Sequence, residues 1–343
     1  MDRREIMTGV ESVEGDMNAR RPDQGVEVST LLGDDYDAFE AVVTGASSGP
    51  LAVIGPPFGG REVALDAAAN RLDAVHVRLV PGDDIDTLRA TFGDEPVVVD
   101  DCHHLYTRAI GGFEPIEQFL EVLAHVDTPV VTGWNSYAWA YLTAAQRIDR
   151  EFPVRVEIES LTAGDLAELV LGRYDELPRF LPNDSGTDGL LSVRRYTLEW
   201  RDHTVSVPVP IPNPAAIVGF GGDGEVDPKE VVFERLAVVS DGNAGVATAI
   251  WKSLRSTELR PSDIVRPETD LALNREEAFC LRIILAKERV EQSELAEIID
   301  DGLDRILGRL VREGLVTVEE DIVSLKPTAV PTAVSETEQR RIL

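Results

Sequence analysis

Lysine is scarce in this sequence. Only four of its 33 basic residues are lysines, and its 62 acidic residues, spread along the chain, leave a net charge of −29. At about 1 M salt the Debye length is near 3 Å, so the self-repulsion of such a surface is largely screened. The charge and the lysine deficit predict adaptation to a halophilic cytoplasm, with an ordinary acidic protein as the alternative.

Cysteine and long apolar runs are also scarce. Two cysteines, Cys102 and Cys280, do not make a disulfide framework. The sequence has no apolar run near the roughly 18 residues of a membrane span, which predicts that the protein has no membrane partner. Residues 1–27 are charged and lack the apolar core of a secretion signal, which predicts a disordered N-terminal tail and a cytoplasmic location.

What the sequence does contain is a series of short apolar runs separated by helical patterns, between residues 28 and 160. Buried strands that alternate with helices are typical of a parallel sheet covered by helices on both faces. The predicted fold class is therefore α/β.

A glycine-rich segment follows the first apolar run, Leu51–Ile54. It reads Gly55-Pro-Pro-Phe-Gly59-Gly60-Arg61-Glu62 and leads into a helical pattern. The spacing matches the phosphate-binding P-loop, G-x-x-x-x-G-K-[ST], whose backbone N–H groups cradle an anion. Arg61 replaces the lysine and Glu62 replaces the Ser/Thr that binds Mg²⁺, so the segment predicts a P-loop fold and favours loss of ATP hydrolysis over its retention. A plain glycine-rich turn is the alternative.

Two acids end the apolar run Val97–Val99. In P-loop enzymes such a strand places one carboxylate on Mg²⁺ and a second beside the attacking water. Asp100 is the predicted Mg²⁺ ligand and Asp101 the predicted catalytic acid. A zinc site formed by Asp100, Cys102, His103 and His104 is a further alternative, although adjacent histidines diverge.

A further apolar run, Pro129–Thr132, is predicted as the fourth strand and ends near Asn135. A polar amide at the end of a strand beside the two-acid strand could orient water or a terminal phosphate. Asn135 is therefore a further predicted catalytic residue.

Taken in order, these motifs resemble those of the AAA+/STAND superfamily of P-loop ATPases, in the layout of archaeal members that carry a C-terminal winged helix. The resemblance rests on Gly55–Glu62 as Walker A, Val97–Asp101 as Walker B and Asn135 as sensor 1, and it covers about Val28–Leu325. It implies an ATP/Mg²⁺ site between the core and a helical lid. In this superfamily an arginine called sensor 2 often starts a helix of the lid. The Gly242–Ala247 segment, which resembles that part of the lid, contains no arginine. Candidates for an arginine finger are Arg147, Arg150, Arg173 and Arg179.

The resulting organisation has five parts. They are a tail at 1–27, a P-loop NTPase-like core at 28–160, a helical lid at 161–260 with a β-rich insertion at 181–226, a winged helix-turn-helix at 271–326, and a loose tail at 327–343.

In the C-terminal module, one helical pattern carries Arg305, Arg309 and Arg312. Their i, i+4, i+7 spacing places them on one face, as a recognition helix for DNA requires. Residues 271–326 nevertheless contain 13 acidic and 8 basic residues, a net charge of −5. DNA and a protein partner remain equal alternatives for this module.

Three functional hypotheses follow. The first is a nucleotide-dependent, or formerly nucleotide-dependent, switch that couples the P-loop core to the winged helix. The second is a catalytically inactive scaffold or regulator. The third is a DNA-binding transcriptional regulator whose core senses or dimerises, and a homo-oligomer is compatible with any of them.

Overall fold

The structure is a computed structural model. It describes residues 26–340 except positions 84, 175, 184–190, 201–202, 213–226, 255, 266–270, 272 and 300–301. Nearly all of the predicted N-terminal tail and much of the predicted insertion lie outside the described residues. Among the described helices, none combines the length and the apolar character needed to cross a lipid bilayer.

The core is an α/β unit built on five parallel strands, which confirms the predicted fold class. Its strands are β1 Leu51–Gly55, β2 Val75–Arg78, β3 Val97–Asp100, β4 Val130–Asn135 and β5 Val154–Glu157. They lie in the order β2-β3-β4-β1-β5, and every pairing is parallel. The surrounding α-helices are α1 Val28–Leu32, α2 Tyr36–Val43, α3 Arg61–Leu72, α4 Ile85–Arg89, α5 Glu114–Leu123 and α6 Ser136–Gln146.

The continuous apolar runs of β1, β3 and β4 are explained by burial on both faces of the sheet. Along β1, Leu51 and Val53 belong to one hydrophobic cluster, whereas Ala52 and Ile54 belong to another on the opposite face. This alternation is the strand period of two. Helices cover both faces, as the sequence predicted.

The strand register brings the three predicted motifs to one edge of the sheet. Gly55, at the end of β1, is paired with Asn135 at the end of β4. Arg78, at the end of β2, is paired with Asp100 at the end of β3. Parallel strands thus place the glycine loop, the acids and the amide together.

A second group of elements, made of helices and strands, follows the sheet. It comprises α7 Ala163–Leu171, β6 Arg179–Phe180, the hairpin strands β7 Leu191–Trp200 and β8 His203–Pro212, α8 Pro228–Ser240, α9 Ala244–Ser253 and β9 Glu258–Leu259. Strands β7 and β8 pair antiparallel over their whole length and lie within the predicted β-rich insertion. The rings of Phe180, Phe233 and Trp251 pack together and join β6, α8 and α9.

The C-terminal unit, here residues 271–340, has the order helix, strand, helix, helix, strand, strand, helix. Its elements are α10 Arg275–Lys287, β10 Arg289–Glu291, α11 Gln292–Ile298, α12 Leu303–Arg312, β11 Val316–Glu319, β12 Ile322–Leu325 and α13 Val330–Gln339. The strands form an antiparallel sheet in the order β10-β12-β11.

The prediction of a loose tail after Pro327 was wrong. Residues Val330–Gln339 form α13, which packs against α10. Val330, Ala333 and Thr337 are buried at the i, i+3, i+7 spacing of one helix face. Pro331 lies in the first turn, where a missing backbone N–H costs no helical hydrogen bond.

Candidate functional site

The glycine loop forms the turn between β1 and α3. Phe58 has φ +60° and Gly60, at the start of α3, has φ +101°, so both take the left-handed backbone that a tight loop before a helix requires. A Cβ on Gly60 would lie 3.2 Å from Leu31 of α1. The loop therefore has the strand–loop–helix geometry of a P-loop.

The start of α9 donates hydrogen bonds to two backbone carbonyls of this loop. Gly245 N–H donates to the Phe58 carbonyl at 2.8 Å, and Asn243 Nδ2 donates to the Pro57 carbonyl at 2.8 Å. A Cβ on Gly245 would lie 2.5 Å from Phe58 Cβ, so a larger residue would push the two segments apart. The segment where the resemblance would place a sensor 2 arginine thus contacts the loop through a glycine and an amide.

Arg61 is the centre of the site. Only 6% of its surface is exposed, and its guanidinium binds three carboxylates. Nη2 lies 2.6 Å from Asp101 Oδ1, Nε lies 3.3 Å from Asp100 Oδ1, and Nη1 lies 3.2 Å from Glu288 Oε1. Burial alone would lower the pKa of Arg61, but these carboxylates raise it above its ordinary value.

Both predicted acids lie at this site, and both are occupied. Asp100 Oδ1 accepts from Arg61 and from the backbone N–H of Asp101, while Oδ2 accepts from Arg78 at 3.2 Å. Burial raises the pKa of Asp101 to about 6, against the opposing pull of Arg61. The negative charges of the acid pair are thus matched by arginines.

The donor set does not fit Mg²⁺ in this arrangement. The oxygens that would bind the ion are bound to guanidinium groups, and Glu62, at the Ser/Thr position, is exposed. Among the described side chains, no group of three or more His, Cys, Asp or Glu is arranged to hold a metal ion. Mg²⁺ requires near-ideal octahedral oxygen ligation, which three carboxylates bound to one arginine do not offer.

The zinc alternative is not supported either. Cys102 Sγ donates to the Val99 carbonyl at 3.3 Å, and burial raises the pKa of its thiol well above its ordinary value. Burial likewise lowers the pKa of His103 and of His104 well below the ordinary range. Among the described residues, Asp100, Cys102, His103 and His104 do not form a group that could hold a metal ion.

Asn135 lies at the site, but its amide is engaged inside the protein. Oδ1 caps α6 by accepting from Tyr137 N–H at 2.9 Å and from Ala138 N–H at 3.4 Å. Nδ2 donates to the Leu285 carbonyl and to Glu288 Oε1, each at 3.0 Å. In this conformation Asn135 joins the core to the C-terminal unit.

Glu288 is a site residue that no sequence motif indicated. It follows α10 directly and reaches the core from 227 positions along the chain beyond Arg61. Its neighbour Lys287 is almost fully buried, donates to the Tyr106 carbonyl and lies 3.2 Å from Glu294 Oε1. The helix ends on one of only four lysines in the chain, and this was the one available signal that the helix end is unusual.

A cavity of about 600 Å³ opens beside the loop, between α3, α7 and α9. Its charged lining residues are four cations and four acids, namely Arg61, Arg78, Arg173, Lys252, Glu62, Asp100, Asp101 and Glu288. Among the four candidates for an arginine finger, only Arg173 is in this lining, and it donates to Thr248 Oγ1 at 3.4 Å. The formal charge of the cavity wall is balanced, whereas a phosphate site usually carries a positive surplus.

The three predicted recognition arginines lie on α12 but differ in their contacts. Arg309 Nη1 lies 2.6 Å from Glu277 Oε2, and Arg305 Nη1 lies 3.6 Å from Glu277 Oε1. Glu277 is buried, and although burial alone would raise its pKa, hydrogen bonds from Asn274 N–H and Arg309 lower it. Arg312 is exposed. Arg309 thus holds α12 to α10.

Comparison with known proteins assigns no function to the chain. No protein-family model matches the chain, and no curated protein matches it in sequence. The RuvB Holliday junction branch migration motor of Thermotoga maritima is 13% identical, with 90% of this chain and 94% of that chain covered and a TM-score of 0.39. The Aeropyrum pernix ORC2 protein, in its ADPNP–ADP complexes, is 11% identical, with 94% and 96% covered and a TM-score of 0.41.

Proposed function

We propose that the protein is a non-hydrolysing regulator of the AAA+ type. In this proposal the P-loop core serves as a scaffold for the C-terminal unit, and the C-terminal unit acts as a winged helix that binds a protein partner. The observation that carries the proposal is the commitment of Arg61 to Asp100, Asp101 and Glu288. This favours the inactive-regulator hypothesis over the ATPase hypothesis.

The absence of turnover follows from the roles these positions would need in catalysis. A phosphate-binding cation must be free to contact phosphate, and the carboxylates must be free to hold Mg²⁺ and water. Here the cation and the carboxylates satisfy one another at 2.6–3.3 Å. No catalytic step is therefore assigned to Asp101 or Asn135.

The choice of a protein partner rests on the charges of the C-terminal unit. Its residues 271–326 carry 13 acids and 8 bases. Arg309 and Arg305 are directed to Glu277. Binding to nucleic acid relies on contacts between basic residues and phosphates, and such contacts weaken steeply as salt rises. An acidic unit in molar salt is better suited to a protein surface than to DNA.

The first test is an assay of ATP binding and hydrolysis in 2 M KCl with and without Mg²⁺. We expect the wild-type protein to release no phosphate. The variant Arg61→Lys/Glu62→Thr, which restores both missing loop residues, is the matched comparison. Hydrolysis by the wild type that Asp101→Asn abolishes would overturn the proposal.

A gel-shift assay in 1 M KCl tests the choice of partner. We expect no retardation of mixed DNA fragments. Retardation that Arg305→Ala and Arg312→Ala both abolish would favour the DNA-binding regulator instead. The halophilic cytoplasmic setting and a homo-oligomeric state remain predictions of the sequence, and sedimentation in 2 M KCl measures the latter.

A further inference from the structure

We propose that the Glu288 carboxylate takes the place of a bound anion at the P-loop site. Through this contact, here called the latch, it holds the C-terminal unit against the core without nucleotide or Mg²⁺. The inference rests on the proposed scaffold role of the core and names the contact through which that role is exercised. It assigns Glu288 as a positioning residue, because it acts on Arg61 and Asn135 rather than on a substrate.

The first support is the pair of donors that Glu288 receives from the core. Its Oε1 accepts from Arg61 Nη1 at 3.2 Å and from Asn135 Nδ2 at 3.0 Å. These are the loop cation and the strand-end amide, the two positions at which the sequence predicted contacts to a phosphate. The Glu288 carboxylate therefore accepts hydrogen bonds from donors of the kind that a bound oxyanion would use.

The second support is the backbone of Glu288. It has φ +58° and ψ −45°, outside the regions that L residues ordinarily adopt. Its N–H donates to the Ile284 carbonyl at 2.7 Å, and its carbonyl accepts from Leu325 N–H at 2.8 Å. Strained backbone persists where the surroundings over-determine it, and such positions gather at clamps and switches. The helix end is thus held in a conformation that directs Glu288 into the core.

The third support is that two further residues of the last helical turn before Glu288 contact the core. Lys287 donates to the Tyr106 carbonyl and lies 4.4 Å from the centre of the Tyr106 ring. The preceding turn supplies the Leu285 carbonyl to Asn135 Nδ2 at 3.0 Å. The latch consists of Arg61, Asn135 and Tyr106 on the core and Leu285, Lys287 and Glu288 on the C-terminal unit.

Burial makes this latch suitable for high salt. The side chains of Arg61 and Glu288 are 7% and 15% exposed. Salt screens exposed ion pairs strongly and buried pairs much less. An ion pair at this depth can therefore hold two parts of an acidic molecule together at molar salt, where surface pairs contribute little.

The local charges predict which side of the latch tolerates change. Without Glu288, Arg61 retains Asp100 and Asp101, so the core remains compensated. Without Arg61, three carboxylates would face one another. Substitution of Glu288 should therefore release the C-terminal unit and leave the sheet folded.

Hydrogen exchange of the full chain in 2 M KCl tests the latch. We compare the wild type with Glu288→Ala, with Glu288→Gln, and with Glu319→Ala as an exposed acid of the same unit. In Glu288→Ala we expect at least tenfold faster exchange at 102–106 and at 285–291, with unchanged protection of β1 and β4. Glu288→Gln, which keeps an acceptor for Asn135 but loses the charge, should give an intermediate increase.

Two results would overturn the latch. One is exchange in both Glu288 variants that equals that of the wild type and of Glu319→Ala. The other is loss of protection in β1 and β4 of Glu288→Gln, since that would make Glu288 a residue of the core fold rather than a latch. Neither result depends on ATP turnover, so the latch and the proposed absence of hydrolysis can fail separately.

Discussion

At the scale of single residues, the exchange of lysine for arginine at position 61 explains most of the site. A planar guanidinium presents five N–H donors in a fixed fork, whereas an ammonium is a compact point charge. Arg61 uses that fork to bind Asp100, Asp101 and Glu288 at once. The substitution therefore changes a residue suited to phosphate into one that cross-links carboxylates.

Removal of this cross-link should destabilise the protein strongly. Arg61→Ala leaves three carboxylates without their shared cation, and breaking a buried ion pair from one side costs about 3–5 kcal/mol. Arg61→Lys keeps the charge but not the fork, so we expect a smaller loss. Urea unfolding in 2 M KCl, followed by circular dichroism, measures both, and an Arg61→Ala protein within about 1 kcal/mol of the wild type would contradict this account of the site.

Asp101 should make stability depend on pH in an unusual direction. Burial raises the pKa of its carboxyl from 3.8 to about 6, so between these values the native state holds a proton that the unfolded state releases. Its stabilising contribution is complete below about pH 4 and is lost as the pH rises through 6. Asp101→Asn cannot titrate, so its stability relative to the wild type should rise from pH 4 to pH 7 by about 1–3 kcal/mol.

The measurement is the difference in unfolding free energy between wild type and Asp101→Asn across that range. Asp127→Asn, at an exposed carboxyl, is the control. A difference that stays flat, or that changes in the opposite direction, would show that Arg61 outweighs burial at Asp101.

At the scale of elements, the ion pairs on α12 show why a helical pattern alone does not identify a recognition surface. Arg305, Arg309 and Arg312 share a face by spacing, yet α10 is packed beside that face and supplies Glu277. Arg309 and Glu277 are 32 positions apart in the chain. Their contact depends on tertiary packing that the local pattern of α12 does not contain.

This difference predicts separate effects on stability. Arg309→Ala removes a charge-assisted hydrogen bond to buried Glu277 and should cost about 1.5–3 kcal/mol. Arg312→Ala, at an exposed position of the same helix, should stay within about 0.5 kcal/mol of the wild type. Thermal unfolding of both variants in 2 M KCl checks the pair, and equal effects would remove the structural role assigned to Arg309.

The strands and helices also differ in how far they could be predicted from the sequence. The strands were predictable because burial on both faces leaves continuous apolar runs, as in Leu51–Ile54 and Val97–Val99. Their parallel order brought Gly55, Asp100 and Asn135 to one edge, as the motifs suggested. Glu288 could not be predicted, because its partner Arg61 lies 227 positions away and no local pattern marks its positive φ. The helix Val330–Gln339 was missed because small residues and a proline gave its apolar face little weight.

At the scale of the whole molecule, the charge of −29 and the buried latch have opposite effects on the stability of the folded state at low salt. Distributed acids repel one another and favour expansion, whereas the ion pairs of Arg61 are shielded from solvent. As salt rises the repulsion is screened, and the buried pairs persist. Stability should therefore increase with salt until the Debye length falls to a few ångströms.

We expect the thermal midpoint to rise by about 5 °C between 0.1 and 2 M KCl, because about 3–4 kcal/mol of relieved repulsion acts against an unfolding entropy of about 0.7 kcal/mol/K for this chain length. The triple variant Glu234→Lys/Glu313→Lys/Glu319→Lys changes three exposed acids. Each change adds two charge units, so the net charge moves from −29 to −23. Its midpoint should be higher than that of the wild type at 0.1 M KCl, and its dependence on salt should be weaker. Equal salt dependence in the two proteins would mean that ion binding or exclusion, rather than screening of the acidic surface, sets the response to salt.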